Sequence, residues 1–231
     1  MMLQQTQITT VKAKYETFLE AFPTLRSLAE APVAEVLGIW KGLGYNRRAL
    51  ALHRTAGILV TEHGGRLPRS VGALTGLPGI GKATAGSILA FAFDMPTTFI
   101  ETNIRRVFLH FYFPDLEGVS DDELLPLVAR TLDRANPREW YYALMDYGAM
   151  LGRTTENANR RSAHYGRQAR FEGSLRQLRG RVLAVMLELR SARPGQILRA
   201  LGDDDQRLSR ALDGLVKDGF LVLKDGRYSF R

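Results

Sequence analysis

Apolar residues recur at three- and four-residue intervals through most of the chain. Ile8, Val11, Tyr15, Phe18, Leu19 and Phe22 fall on one helical face that stops at Pro23. A short helix is predicted from about Pro32, where proline suits a first turn. A longer one runs from about Arg47 to His63 and stops at Gly64-Gly65. Ser70 is placed to cap a short helix leading into Leu77-Pro78-Gly79-Ile80-Gly81. The spacing then predicts helices over 82–93 and 102–113. Ser120 with Glu123 reads as a capping box before a further helix, and the last helix of the block covers 138–151. No strand pattern precedes residue 218.

Residues 152–173 have no clear period and read as an irregular basic connector. A second unit follows. RQLRGRVLAVMLELR is amphipathic, PGQILRAL is a short helix, and DDDQRLSRALDGLVKDG is a third with an Asp near its N-cap. Two short alternating runs around Asp225-Gly226 signal a β-hairpin. The fold class is therefore mainly α, divided into a helical domain (1–151), a connector (152–173) and a winged-helix-like unit (174–231). Such a unit serves either as a DNA binder or as a protein-contact module.

Charge sharpens this picture. The net charge is +8. Residues 1–151 carry 15 Lys and Arg against 15 Asp and Glu, whereas 152–231 carry 17 against 9, so the whole excess lies in the last third. Arg153, Arg160, Arg161, Arg167, Arg170, Arg176, Arg179 and Arg181 face only Glu156 and Glu172 over that stretch. Such a density suits phosphate contacts; a solvated basic linker is the plainer reading. The absence of cysteine excludes disulfides, thiolate zinc sites and iron–sulfur clusters. His53, His63, His110 and His164 show no ligand spacing. The N-terminus is polar and no run of about 18 apolar residues exists, so the expected location is cytoplasmic and nucleoid-associated, with no membrane partner.

Two features carry chemistry. The Gly79–Gly81 turn exposes backbone N–H groups at a helix start, an arrangement that binds phosphate, and Lys82 follows with a charge. It is equally a plain tight turn between helices. Glu101 lies 20 residues after Gly81, at the start of ETNIRRVFLHF. An acid there is explained by the helix dipole alone, worth about 0.3–1 kcal/mol. A carboxylate beside a DNA-facing turn could instead stabilise a positive centre.

Five segments in order, MLQQTQ, GLGYNRRA, LPGIGKATAGSIL, the acid-x-Asn stretch before RRV, and MDYGAM, resemble the helix-hairpin-helix DNA glycosylases of the endonuclease III superfamily. The adenine-specific branch is the most similar, over roughly residues 1–151. The resemblance implies two helical subdomains with an active cleft between them. It implies that Leu77, Pro78, Gly79, Ile80, Gly81 and Lys82 grip the DNA backbone, that Gln4 and Gln5 lie near the gap left by a flipped base, and that Tyr45 wedges into the stack. Glu101 falls on the family's catalytic aspartate and Asn103 on a polar residue that supports it.

Four departures shape the expectations. Glu101 replaces the usual Asp, one methylene longer. The lysine nucleophile of bifunctional members aligns with Ala83, and Lys82, one residue early, is turned about 100° away, so base excision without efficient strand cleavage is expected. The cluster-binding cysteines are missing, the first falling at Gly152, so no cofactor is expected. The acid that protonates the leaving base falls one place before Met1, which suggests a truncated or misassigned start. The implied partner is double-stranded DNA carrying a mismatch or lesion, bound by a monomer. The implied reaction is hydrolysis of the glycosidic bond of adenine opposite 8-oxoguanine or guanine. Two alternatives stand: a non-catalytic DNA-binding protein, and a glycosylase for thymine or uracil opposite guanine. Trp40, Trp140, Tyr141, Tyr142 and Phe91 are expected in the core, and Asp146 as a buried acid locking helices.

Overall fold

The computed structural model describes residues 1–166, 170–202 and 204–231. Arg167 of the arginine cluster and Asp203 lie outside the described residues. The chain forms two compact units, one of Met1–Leu67 with residues 170–231, the other of residues 68–166. The C-terminal helices thus share a unit with the N-terminal ones.

In the first unit, α1 (Ile8–Ala21), α2 (Leu25–Glu30), α3 (Val33–Trp40) and α4 (Arg47–Glu62) come from the N-terminal segment. On α1 only Val11 and Phe18 are buried, with Phe22 at its end. Ile8, Tyr15 and Leu19 of the predicted face are exposed, because the stripe through Val11, Phe18 and Phe22 is the one that joins the core with Trp40. The sequence pattern did not separate those two stripes. It also missed α2, whose Thr24 and Ser27 cap each other reciprocally. Gly64 and Gly65 end α4 at φ of 57° and 74°, which only glycine adopts cheaply.

The C-terminal segment adds α10 (Leu175–Leu189), α11 (Pro194–Leu201), α12 (Asp205–Asp218) and a sheet of β1 (Ser191–Ala192), β2 (Leu221–Lys224) and β3 (Arg227–Phe230), ordered β1-β3-β2 and antiparallel. β1 corrects the expectation of no strand before 218: two residues are too few to show a period. The turn between β2 and β3 puts Asp225 and Gly226 at φ of 51° and 70°, the primed geometry that Asp-Gly favours. Val182, Met186, Ile197, Leu212 and Phe220 join Phe18, Val36, Leu37 and Trp40 in one apolar cluster. Asp218 ties the segments further: Arg47 Nε donates to its carboxylate at 2.8 Å, Arg179 also donates to it, and Arg54 donates to its carbonyl at 3.1 Å.

In the second unit, α5 (Val71–Thr75) and α6 (Lys82–Phe93) flank the glycine turn. After an extended stretch come α7 (Thr102–Tyr112), α8 (Asp121–Thr131) and α9 (Pro137–Thr154). The Ser70 cap and the Ser120–Glu123 capping box form as predicted. The core holds Phe99, Ile104, Phe108, Leu124, Val128 and Tyr141. The expected irregular connector is more ordered than its composition suggests. α9 continues to Thr154, and Ala158–Arg161 make a 3-10 turn whose Ala158 and Asn159 are buried. Two other expectations need correction: Tyr142 is exposed, stacking its ring on half-buried Phe91 at 4.8 Å, and Asp146 is exposed rather than a buried lock. Trp140 is half-buried. Among the described residues no helix is long and apolar enough to cross a membrane.

Candidate active site

The turn from Leu77 to Gly81 is anchored from inside. Leu77 and Ile80 are buried, and the Ile80 N–H donates to the Leu77 carbonyl at 3.2 Å. Gly79, at φ of 74°, makes the turn possible, and Pro78 beside it is half-buried. Gly81 is the N-cap of α6 and, lacking a side chain, places no capping group over the first turn. Lys82 and Ala83 open the helix, both exposed.

From α6 the chain runs extended to Glu101, held on both sides. Gly86 lets α6 approach so closely that a Cβ there would sit 2.6 Å from the Phe99 Cβ. Tyr141 of α9 stacks on Phe99 at 4.2 Å, accepts from the Phe99 N–H at 3.3 Å and donates to the Thr97 carbonyl at 2.7 Å. Burial pushes the Tyr141 phenol up to about 12, so it remains a donor.

Glu101 is the N-cap of α7. Its Oε1 accepts from the N–H groups of Asn103 at 2.6 Å and Ile104 at 2.8 Å. The cap role anticipated for an acid here is therefore real. Burial nevertheless raises its pKa above the usual carboxylate value, even though those two N–H groups and the Arg105 and Arg106 charges pull the other way. Desolvation wins because the carboxylate sits in a half-buried, apolar approach. Asn103 turns its side chain to Arg106, whose Nη1 donates to Asn103 Oδ1 at 2.9 Å and also to the Gly148 carbonyl. Arg105 instead forms a bidentate pair with Asp121, both bonds 2.7 Å.

The 3-10 turn supports the same corner. Asn159 Nδ2 donates to the Thr102 carbonyl at 3.1 Å, and Arg161 donates to the Leu109 carbonyl at 3.2 Å. Gly152 lies against the Arg106 guanidinium, where a Cβ would come within 2.6 Å. The residues here do not fit an iron–sulfur cluster. The position matched to its first ligand is a glycine packed on an arginine, and the chain has no thiolate to offer.

The remaining sequence-predicted residues belong to the other unit. Gln4 is half-buried and Gln5 exposed, the latter at φ of 55°. Tyr45 is half-buried at φ of 47°, after Gly42 and Gly44 at φ of 98° and 68°. Arg48, which the sequence did not single out, joins them. It is 9% exposed, and its guanidinium donates to the carbonyls of Met2 (2.7 Å), Gln4 and Leu43 (3.0 Å) and to Thr6 Oγ1 (2.7 Å). It also lies over the rings of Trp40 at 5.5 Å and Tyr45 at 5.3 Å. Burial lowers its pKa and the nearby Tyr45 hydroxyl partly offsets this. Arg48 and Arg106 each sit beside another arginine in sequence, and only the tertiary contacts tell them from Arg47, which is exposed, and Arg105, which pairs with Asp121.

Comparison with known proteins agrees with this geometry. The family pattern described as HhH-GPD superfamily base excision DNA repair protein matches residues 1–123. An adenine DNA glycosylase of Mycolicibacterium smegmatis is 34% identical over 99% of this chain and 84% of its own. One of Buchnera aphidicola is 36% identical over 65% of this chain, which spans 43% of that protein's length. In three dimensions a thermostable thymine-DNA glycosylase superposes with a TM-score of 0.60 at 24% identity, covering 68% of this chain and 74% of its own, a likeness of fold. With residues 1–123 inside the family pattern and a relative matched along nearly its whole length, the chain belongs to the HhH-GPD superfamily of base excision DNA repair proteins.

Proposed function

We propose that the chain is a monofunctional DNA glycosylase that hydrolyses the glycosidic bond of a flipped adenine opposite 8-oxoguanine or guanine. The observation that carries this reading is Glu101, a half-buried carboxylate fixed by two backbone N–H groups, one unit with the glycine turn. The adenine DNA glycosylases of M. smegmatis and Buchnera support the choice of base.

The exposed first turn of α6 holds a phosphate of the duplex through its N–H groups, with Lys82 adding charge. The target base leaves its stack, at a cost of a few kcal/mol. As the glycosidic bond breaks, positive charge develops on the sugar, and ionised Glu101 stabilises it at close range in a site of low polarity. Asn103, held by Arg106, keeps the first turn of α7 in place. The bonding pair leaves with the adenine, which takes up a proton from solvent, and water adds to the sugar and gives a proton back. Lys82 is exposed at the first position of its helix and is a phosphate contact, not a nucleophile; the product is an abasic site on an unbroken strand.

The test is excision by the full chain on duplexes with adenine opposite 8-oxoguanine or guanine, and thymine or uracil opposite guanine. Abasic sites should appear on the adenine duplexes and become breaks only after alkali. Glu101→Gln should bind the same DNA and lose turnover. Excision of thymine or uracil alone would move the protein to another base, and binding without excision on every duplex would make it a DNA-binding protein.

A further inference from the structure

Tyr45 does not stand alone in its unit. Arg176, in the first turn of α10, places its guanidinium carbon 5.8 Å from the Tyr45 ring centre and 5.4 Å from that of Phe171. With Arg48 between Tyr45 and Trp40, the contacts run Trp40, Arg48, Tyr45, Arg176, Phe171. Rings and planar cations alternate along the series, and each neighbouring pair is favourable because the guanidinium lies against a π face. The inner end is sealed: Trp40 is wholly buried. The outer end is open: Phe171 is 54% exposed.

The open end is also held firmly. Ser174 is the N-cap of α10 and donates to the Phe171 carbonyl at 2.6 Å. The Gly173 N–H donates to Gln177 Oε1 at 2.8 Å. Arg207 of α12 donates to the Gly173 carbonyl at 2.8 Å. An exposed phenylalanine on an anchored turn, beside exposed Arg170, is not explained by core packing. Glu172 is the one acid among residues 170–176.

We propose that Phe171 and Arg176 form, with Tyr45, one stacking surface for the unstacked bases of lesion DNA, so that the C-terminal helices take part in lesion binding. This rests on the glycosylase reading. A base displaced beside Tyr45 meets a second ring and a planar cation, and the cation also neutralises a nearby phosphate. Aromatic–base stacking is sequence-tolerant, so the surface contributes affinity for the distorted site rather than choice of base.

The experiment uses the full chain and a duplex holding a tetrahydrofuran abasic-site analogue, with 2-aminopurine next to the analogue as a stacking reporter. Affinity is read by anisotropy and stacking by 2-aminopurine emission. Phe171→Ala and Phe171→Leu should each weaken binding about 5- to 50-fold and alter the emission of the complex. Phe171→Trp should stay within about threefold of the parent. Leucine keeps an apolar side chain without a π face, so it separates stacking from packing. Arg176→Lys should lose part of the affinity although the charge is kept. Tyr45→Ala with Phe171→Ala should be less than additive if the surface acts as one. Parent protein that binds and Phe171→Leu that binds and reports equally well would overturn the stacking surface alone. Parent protein that fails to bind the duplex would overturn the glycosylase reading, and the surface with it.

Discussion

Gly148 of α9 lies so close to the backbone of Asn103 in α7 that a Cβ would overlap the Asn103 carbonyl. The same glycine's own carbonyl accepts from Arg106, which holds the Asn103 side chain. One missing methyl group thus sets how near two helices come, and one of them, α7, is capped by Glu101. Gly148→Ala should force α9 outward and cost about 1–3 kcal/mol. Thermal melting reads the stability loss. Single-turnover excision should fall more than DNA affinity does, because the displaced turn carries the carboxylate and not the phosphate contact.

The pH dependence of Glu101 follows from its raised pKa. Its ionised form is lost at a higher pH than that of an ordinary glutamate, so the acid limb of the single-turnover excision rate should be shifted upward. For stability the sign is opposite to that of a salt-bridged acid. A raised folded-state value means the fold favours the proton, so this contribution is complete below the unfolded value and is lost as pH rises through the folded one. Glu101→Gln keeps an acceptor for the Asn103 and Ile104 N–H groups and removes the buried charge. Its melting temperature at neutral pH should be unchanged or raised by up to about 2–4 °C, while turnover is lost.

Asp218 shows the ordinary sign. Burial pushes its carboxyl up, but the hydrogen bonds and charges of Arg47 and Arg179 more than offset this and leave it lowered. Its contribution is present above the unfolded value and is lost as pH falls through the folded one. Asp218→Asn should cost about 1 kcal/mol at neutral pH, since Arg47 is largely exposed. Denaturant melts should show a shallower acid-side decline in stability than the parent.

Arg48→Met should be the most damaging single change in its unit. It leaves the carbonyls of Gln4, Leu43 and Gly44 without their cationic donor, at a cost of about 3 kcal/mol. Chemical denaturation measures the loss. Amide exchange at residues 42–45 should quicken in the folded variant.

Much of this arrangement was legible in the sequence where the cause is local. The Ser70 and Ser120 caps, the glycine turn at 79–81 and the Asp225-Gly226 hairpin depend on backbone preferences of a few neighbouring residues, and they form as read. Glu101 was legible as a helix cap, and its carboxylate caps α7. What stayed hidden depends on distant partners. Nothing in the run of residues 152–166 announces that Asn159 will reach Thr102, or that Arg106 rather than Arg105 will meet Gly148. The exposed face of α1 misled for the same reason, since a helix with two apolar stripes does not declare which one a neighbour will cover.

One unit of this molecule takes its core from both ends of the chain. Phe18 and Trp40 share an apolar cluster with Leu212, Phe220 and Tyr228. The unit between them is contiguous and can complete its core as soon as it has been synthesised. The N-terminal helices cannot, because part of the surface that buries them is encoded in the last dozen residues. They must close a loop of well over a hundred residues, which slows assembly and leaves apolar surface open during translation. Loss of the β2–β3 hairpin should therefore be felt at α1 and α3, whose apolar cluster it helps to close.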